Sequence, residues 1–194
     1  MDGIILAGGQ SSRMGQPKEL LPLAGMTLIE RTLRLVADVA DCCTIISNHP
    51  ERLAAVANQA AIYPDDRPGQ GPLGGIATAM RTAASDVLLV VACDMPALTP
   101  DVLQRLCAHH PLLESGYDII YPEWKGRAHP LCALYHRRLY PLVLSLLAQE
   151  RRRMFDLIDG GRAFRWNVHL DAADPFCNVN TMQEYKQFQK GERP

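Results

Sequence analysis

Nowhere does the chain carry an apolar run long enough to cross a bilayer, and no basic stretch leads into an apolar one near Met1. Neither a membrane span nor a secretory leader is therefore expected, and the cytoplasm is the expected compartment. Charge of one sign is also lacking: 20 Lys and Arg stand against 21 Asp and Glu, for a formal net charge of -1. That balance gives no basis for general nucleic-acid binding, although it leaves room for a local basic pocket. Metal-type cysteine spacing is missing. None of the six cysteines (Cys42, Cys43, Cys93, Cys107, Cys132, Cys177) forms a C-x-x-C pair, so reduced, mostly buried thiols are expected rather than a zinc site. No glycine run ends in Gly-Lys-[Ser/Thr], which disfavours a Walker A loop. Internal repeats and low-complexity segments are absent as well.

What is present is ordinary globular material: 194 residues, 47% apolar and 21% charged. A chain of this size buries a core without staples. The expectation is a single domain over 1–189 with a disordered tail over 190–194. Short apolar runs alternate with helical periodicity. Gly3–Ala7, Thr44–Ser47, Ala61–Tyr63 and Val87–Ala92 read as strands. The last is apolar at every position, as in a parallel strand covered on both faces. Leu28–Val39, Pro50–Ala60, Ile76–Ala84, 100–108 and Pro141–Gln149 read as helices, and Pro64–Gly75 as a loop of turn formers. Thr99 before Pro100 looks like an N-cap, and Thr181-x-x-Glu184 like a capping box opening a final helix. Asp118–Tyr121 and Pro130–Tyr135 read as later strands around a turn at Lys125-Gly126-Arg127. The alternation predicts an α/β domain with a mainly parallel sheet.

Five segments carry chemistry. Leu6-Ala7-Gly8-Gly9 leads at once into Arg13-Met14-Gly15 and Lys18, directly after the first strand. Glycine admits close backbone approach, exposed N–H groups suit phosphate, and Arg13 and Lys18 can neutralise a polyphosphate. Asp94 closes the Val87–Ala92 strand, where open α/β sheets place their ligands, and one carboxylate there can hold Mg2+ together with phosphate oxygens. The Asp65–Gly75 segment contains G-x-G-x-x-G at Gly69, Gly71 and Gly74. Four residues part it from Tyr63-Pro64 and Pro72 interrupts it, so packing against a nucleotide base or ribose fits better than a dinucleotide turn. His129-Pro130 opens a strand, and His129 reads equally as an acceptor contact or as a hydrogen-bonded strand-end histidine. Arg151-Arg152-Arg153 is either a solvated helix end or a site for an anionic acceptor. Asn178-Val179-Asn180-Thr181 serves as a turn into the capped helix, and Asn180 could add a neutral oxygen to the metal.

In this order and spacing, Leu-Ala-Gly-Gly with Arg13-Met14-Gly15 and Lys18, Gly71-Pro72-Leu73, Cys93-Asp94-Met95-Pro96, His129-Pro130-Leu131 and Asn178–Thr181 resemble the molybdenum-cofactor guanylyltransferases. The likeness runs from Gly3 to about Tyr185. It implies a Rossmann-like three-layer domain with helices on both faces of the sheet. It further implies GTP as donor, Mg2+, and molybdopterin as acceptor, with proteins that deliver or receive the cofactor as further partners. By motif position, Leu6, Ala7 and Gly8 would contact the nucleotide, Lys18 its phosphates, and Asn48 and either Asp65 or Asp66 the nucleoside. Asp94 would bind nucleotide and metal, while Arg151-Arg152 and Asn178 would face the acceptor. A cytidylyltransferase or sugar-phosphate nucleotidyltransferase is the near alternative. A non-catalytic nucleotide-binding module is the alternative of another class, with a dehydrogenase third.

Overall fold

A computed structural model of the chain describes residues 1–8, 16–169 and 174–191. Strand β1 (Asp2–Leu6) is followed, past a 3-10 turn at Lys18–Leu20, by the small hairpin β2 (Pro22–Leu23) and β3 (Met26–Thr27) and by helix α1 (Leu28–Ala37). Next come β4 (Cys42–Ser47), β5 (Ala61–Pro64), α2 (Gly71–Thr82), β6 (Val87–Ala92), α3 (Pro100–Cys107) and α4 (Pro111–Glu114). The chain continues with β7 (Ile119–Trp124), β8 (Arg127–Ala128), β9 (Cys132–His136), α5 (Tyr140–Ala148), α6 (Met154–Gly160), β10 (Ala163–Asn167) and α7 (Met182–Gln189).

Eight strands form one sheet in the order β10-β7-β9-β6-β1-β4-β5, with β8 on β7. Strands β5, β4, β1 and β6 run parallel, and β10 runs parallel to β7. Strand β9 is inserted against the grain, antiparallel to both β6 and β7. The expected α/β class and mainly parallel sheet are thus observed.

Both faces are covered, as the continuous apolar character of β6 requires. Val87, Leu89 and Val91 pack with Ile29, Leu33 and Val36 of α1 and Val102, Leu103 and Leu106 of α3. Leu88 and Val90 point the other way, into Ile76, Ala79 and Met80 of α2, Val143 and Leu146 of α5, and Leu157 of α6. Each fully buried Val or Leu contributes roughly 1.5–3 kcal/mol relative to exposure. Gly3 lets α1 seat directly on β1, since a Cβ there would lie 2.2 Å from Val36 Cγ1. A third, small cluster of Leu21, Leu28, Val179 and Tyr185 joins the β2–β3 hairpin to α7, and the Tyr185 hydroxyl donates to the Pro22 carbonyl.

The capping expectations hold. Thr99 accepts from the Val102 N–H, and Thr181 exchanges bonds with Glu184 at 3.2 and 3.0 Å. Two expectations need correction. The segment 50–60 is not an α-helix but a 3-10 stretch over Pro50–Val56, broken at Leu53 (φ -101, ψ 20). Its buried residues, Leu53 and Val56, are spaced by one 3-10 turn. The loop after β5 also ends earlier than expected. Helix α2 begins at Gly71, because Pro72 in the first turn needs no N–H partner, and Gly74 and Gly75 lie buried inside the helix. The hairpin β2–β3, helix α6 and strand β10 are too short or too mixed in pattern to be read from periodicity. Lys190 and Gly191, expected in the tail, close the last turn of α7, while 192–194 lie outside the described residues. No helix among the described residues is long and apolar enough to cross a membrane.

Candidate active site

The carboxyl ends of the parallel strands meet at β1. On one side, the Ala7 N–H donates to the Ile46 carbonyl at 2.9 Å, and Ser47 Oγ donates to the Ala7 carbonyl at 3.1 Å. Here Leu6, Gly8, Asn48, Asp65, Gly71 and Pro72 line a pocket between the ends of β1, β4 and β5 and the first turn of α2. Two glycines make the approach close. A Cβ on Gly8 would stand 3.1 Å from Asn48 Nδ2, and one on Gly75 the same distance from Leu6 Cδ2. The helix start also directs its unpaired N–H groups and positive dipole end toward this pocket, which favours an anion.

The two adjacent aspartates separate here. Asp65 lines the pocket, and its Oδ1 accepts from the Arg67 N–H at 2.9 Å and from Thr78 Oγ1 at 3.2 Å. Asp66 turns outward into a bidentate pair with Arg81 at 2.6 and 3.1 Å. Thr78 sets the division, since its hydroxyl also accepts the Asp66 N–H at 3.0 Å.

On the other side of β1, the Cys93 N–H donates to the Leu6 carbonyl at 3.2 Å, which brings Asp94 beside the end of β1. Lys18 Nζ donates to Asp94 Oδ2 at 2.6 Å and to Asn180 Oδ1 at 2.9 Å. The Val179 N–H donates to the Asp94 carbonyl, so the asparagine turn is held against the strand end. Asp94 Oδ1 is buried with no hydrogen-bond partner among the described residues. The Lys18 and Asp94 side chains are only 16% and 17% exposed, so their attraction is less screened than at an open surface. Cys93, next in sequence, is not a nucleophile at neutral pH, because burial first and the Asp94 charge second push its thiol up to about 12.

A third group of residues reaches the same edge. The Ala92 N–H donates to the Leu131 carbonyl at 2.8 Å, which places His129-Pro130 beside the end of β6. The His129 ring is 5% exposed and stacks on Phe176 with centroids 4.4 Å apart. Burial lowers its pKa, with Asp174 pulling the other way, so the imidazole is neutral near pH 7. His129 Nε2 and Asn178 Oδ1 are buried and unpartnered among the described residues, like Asp94 Oδ1. Native interiors leave few such atoms, so each of them is a place where a further polar partner would be favoured.

Arginines 151–153 open α6. Arg151 and Arg153 both bond Asp156, at 2.9 and 3.1 Å, and hold its carboxyl down to about 2, Arg153 first. Arg152 makes only a loose contact of 3.8 Å to Glu150, and its carbonyl oxygen lies 3.9 Å from where a Cβ on Gly71 would be. The Arg152 backbone therefore lies beside the start of α2.

The structure thus gathers Leu6, Ala7, Gly8, Asn48, Asp65, Gly71 and Pro72 on one side of β1, and Lys18, Asp94, Asn178 and Asn180 on the other. Leu73 is instead fully buried in the core beneath α2. Gly9 and Arg13 lie outside the described residues. Two participants were not read from sequence: Ser47 and Thr78, which position Ala7 and Asp65; Gln70, whose buried Oε1 lacks a partner among the described residues, lines a separate cavity with Asp66, Arg67 and Arg81. Single hydroxyls and a lone glutamine give no sequence signal. Of the thiols, Cys93, Cys132 and Cys177 are buried as expected, whereas Cys42 is exposed and donates to Asp2.

A family model described as the MobA-like NTP transferase domain matches residues 3–163. The chain belongs to this family. As a MobA-like transferase it has close curated relatives. It is 35% identical over 191 residues to a protein of Carboxydothermus hydrogenoformans named probable molybdenum cofactor guanylyltransferase, covering 96% of this chain and 93% of the relative. It is likewise 35% identical over 200 residues to a protein of the same name from Bacillus cereus, covering 97% and 95%. Among solved structures, molybdopterin-guanine dinucleotide biosynthesis protein A of Archaeoglobus fulgidus shares the fold with a TM-score of 0.80 at 24% identity, covering 98% and 97%. Membership of the MobA-like family makes nucleotidyl transfer the reaction class.

Proposed function

We propose that this MobA-like chain transfers GMP from GTP to the terminal phosphate of molybdenum-bound molybdopterin, releasing pyrophosphate and forming the guanine dinucleotide. The observation that carries the reading is the meeting of Lys18, Asp94 and Asn180 beside the end of β1, one strand away from the pocket lined by Gly8, Asn48 and Asp65. The nucleoside would occupy that pocket, with Asp65 facing it, and the triphosphate would cross the β1 end toward Lys18.

The acceptor phosphate is already ionised at neutral pH, so the transfer needs no general base. Its oxygen attacks the α-phosphorus in line, the bond to the β-phosphate oxygen breaks, and the electron pair leaves with pyrophosphate. The chain's task is positioning and charge neutralisation. Lys18 would neutralise charge growing on the leaving pyrophosphate, with Arg13 as a second cation from the same loop. Asp94 and Asn180 suit a magnesium ion, as the unpartnered Asp94 Oδ1 supports, and when bound the ion would neutralise charge between phosphate oxygens. On the acceptor side, His129 and Asn178 would offer polar atoms that have no partner among the described residues, and Arg152, whose backbone passes beside Gly71, would offer a cation. Cytoplasmic residence and proteins that hand over the cofactor accord with the same reading.

The test is pyrophosphate release from GTP, CTP, ATP and UTP with molybdopterin as acceptor, and the mass of the product. Guanine dinucleotide from GTP alone is expected. Preference for CTP would replace the guanylyl reading with a cytidylyl one, and no turnover with any nucleotide would overturn the catalytic reading.

A further inference from the structure

Lys18 occupies a revealing position. Its ammonium sits 2.6 Å from a carboxylate oxygen of Asp94 and 2.9 Å from the amide oxygen of Asn180. A carboxylate and a neutral amide oxygen are hard donors of the kind a magnesium ion accepts. An ammonium is a compact point charge, and it is seated on the oxygens that the metal would use. The two cations exclude each other. Magnesium takes its oxygens at about 2.0–2.1 Å, and a second positive charge in the same notch adds repulsion that solvent screens only in part, since Asp94 is little exposed although Asn180 faces water. The pair is also incomplete, because Asp94 Oδ1 stays buried and unpartnered among the described residues.

We propose that Lys18 stands in for the divalent cation until nucleotide arrives, so that metal enters the Asp94–Asn180 notch only together with a polyphosphate. This rests on the metal-nucleotide reading above. The local structure allows the exchange. The Lys18 backbone is fixed by a 3-10 turn whose carbonyl accepts from Leu21, a residue buried at 1% exposure in the small core under α7. The four-carbon stem is then the moving part, and a triphosphate crossing the β1 end offers the ammonium several anionic oxygens in place of Asp94. Nucleotide favours the state with Lys18 withdrawn, and metal requires that state. Each ligand must therefore strengthen the other, with Lys18 as the carrier of the coupling. The arrangement also keeps a strongly shielded carboxylate neutralised in the absence of nucleotide, and it makes a metal ion alone a poor ligand.

The experiment follows Mn2+ binding to the full chain by the electron paramagnetic resonance of free Mn2+. It is run alone and with the α,β-methylene analogue of GTP, correcting for Mn2+ held by the analogue itself. The native chain should bind Mn2+ weakly alone and tightly with the analogue. Lys18→Met should bind Mn2+ alone at least about fivefold more tightly than native, and its metal–nucleotide coupling should shrink by the same factor. Lys18→Gln is the second variant, and circular dichroism reports that both are folded. Arg67→Met removes an equal charge from the loop on the other side of β1 and should leave Mn2+ affinity at the native value; equal tightening there would assign the effect to net charge and overturn the proposal. Equal Mn2+ affinity in native and Lys18→Met chains would also overturn it, while tight binding with the analogue would leave the metal-nucleotide reading standing. Failure to bind Mn2+ even with the analogue would sink both.

Discussion

The backbone N–H of Val179 donates to the carbonyl oxygen of Asp94 at 3.0 Å. Through this bond the segment before α7 is clamped to the end of the central strand, and the asparagines flanking Val179 are delivered to the carboxylate. The clamp uses only backbone atoms, so it should survive replacement of the Asp94 side chain.

Asp94→Asn is accordingly expected to keep the fold and lose turnover. Loss of a charged group that stabilises the transition state costs on the order of 100-fold or more in kcat. Pyrophosphate release with circular dichroism as control checks this, and a rate within a few-fold of native would remove Asp94 from the chemistry.

The paired aspartates should behave differently. Asp65→Asn is expected to raise KM for GTP, because Asp65 lines the pocket beside Gly8 and Asn48. Asp66→Asn breaks its solvent-exposed pair with Arg81, which water screens, and should change neither Tm nor KM appreciably. Steady-state kinetics of the two variants decides, and the reverse pattern would reassign the nucleoside contact.

Gly74→Ala places a methyl group 2.9 Å from the Arg67 carbonyl oxygen, inside the loop that presents Asp65. Such overpacking costs about 1–3 kcal/mol. A lower Tm and a higher KM for GTP are expected together. A native Tm would mean that the loop yields without strain.

Stability should depend on pH through His129. Burial lowers its folded pKa below the usual value of about 6.5, so the unfolded chain takes up the proton first as pH falls. Its contribution is fully present above about pH 6.5 and is lost as pH falls through the folded value. Groups near the ring include Asp174 and Arg127, which pull in opposite directions. His129→Phe, which keeps an aromatic ring on Phe176, should flatten the fall of Tm between about pH 7.5 and pH 5. An unchanged slope would show that another group carries the dependence.

Arg151 and Arg152 should also part. Arg151→Ala removes one of two guanidinium groups on Asp156 and is expected to loosen the start of α6 and lower Tm. Arg152→Ala should leave Tm unchanged and raise KM for molybdopterin. Equal KM effects from both would mean that the loop acts as a unit.

Much of this was legible in the chain. Val87–Ala92 declared a strand covered on both faces, and Thr99 and Thr181 declared helix starts, because these signals are local. Gly8, Lys18 and Asp94 stand out in the sequence as candidates because each sits at a strand end or in the loop that follows one. The split between Asp65 and Asp66 was not legible, since the Thr78 hydroxyl that enforces it comes from a helix 12 residues further on. Nor was the grip of Lys18 on Asp94, a contact across 76 residues that leaves no periodic trace. The start of α2 was misplaced because Gly71–Gly75 reads as a turn by composition, while packing against Leu6 and the Arg67 carbonyl makes glycine the residue that fits inside a helix there.

The backward insertion of β9 between β6 and β7 divides the sheet into two stretches. Across β5, β4, β1 and β6 every strand runs the same way, whereas β9 runs back against them and the segment leading into it begins at His129. If the proposed reaction holds, an engineer wishing to change the recipient would work between β7 and α6, and would leave in place both the β1–β6 strand ends and the Asn180 turn that returns to them.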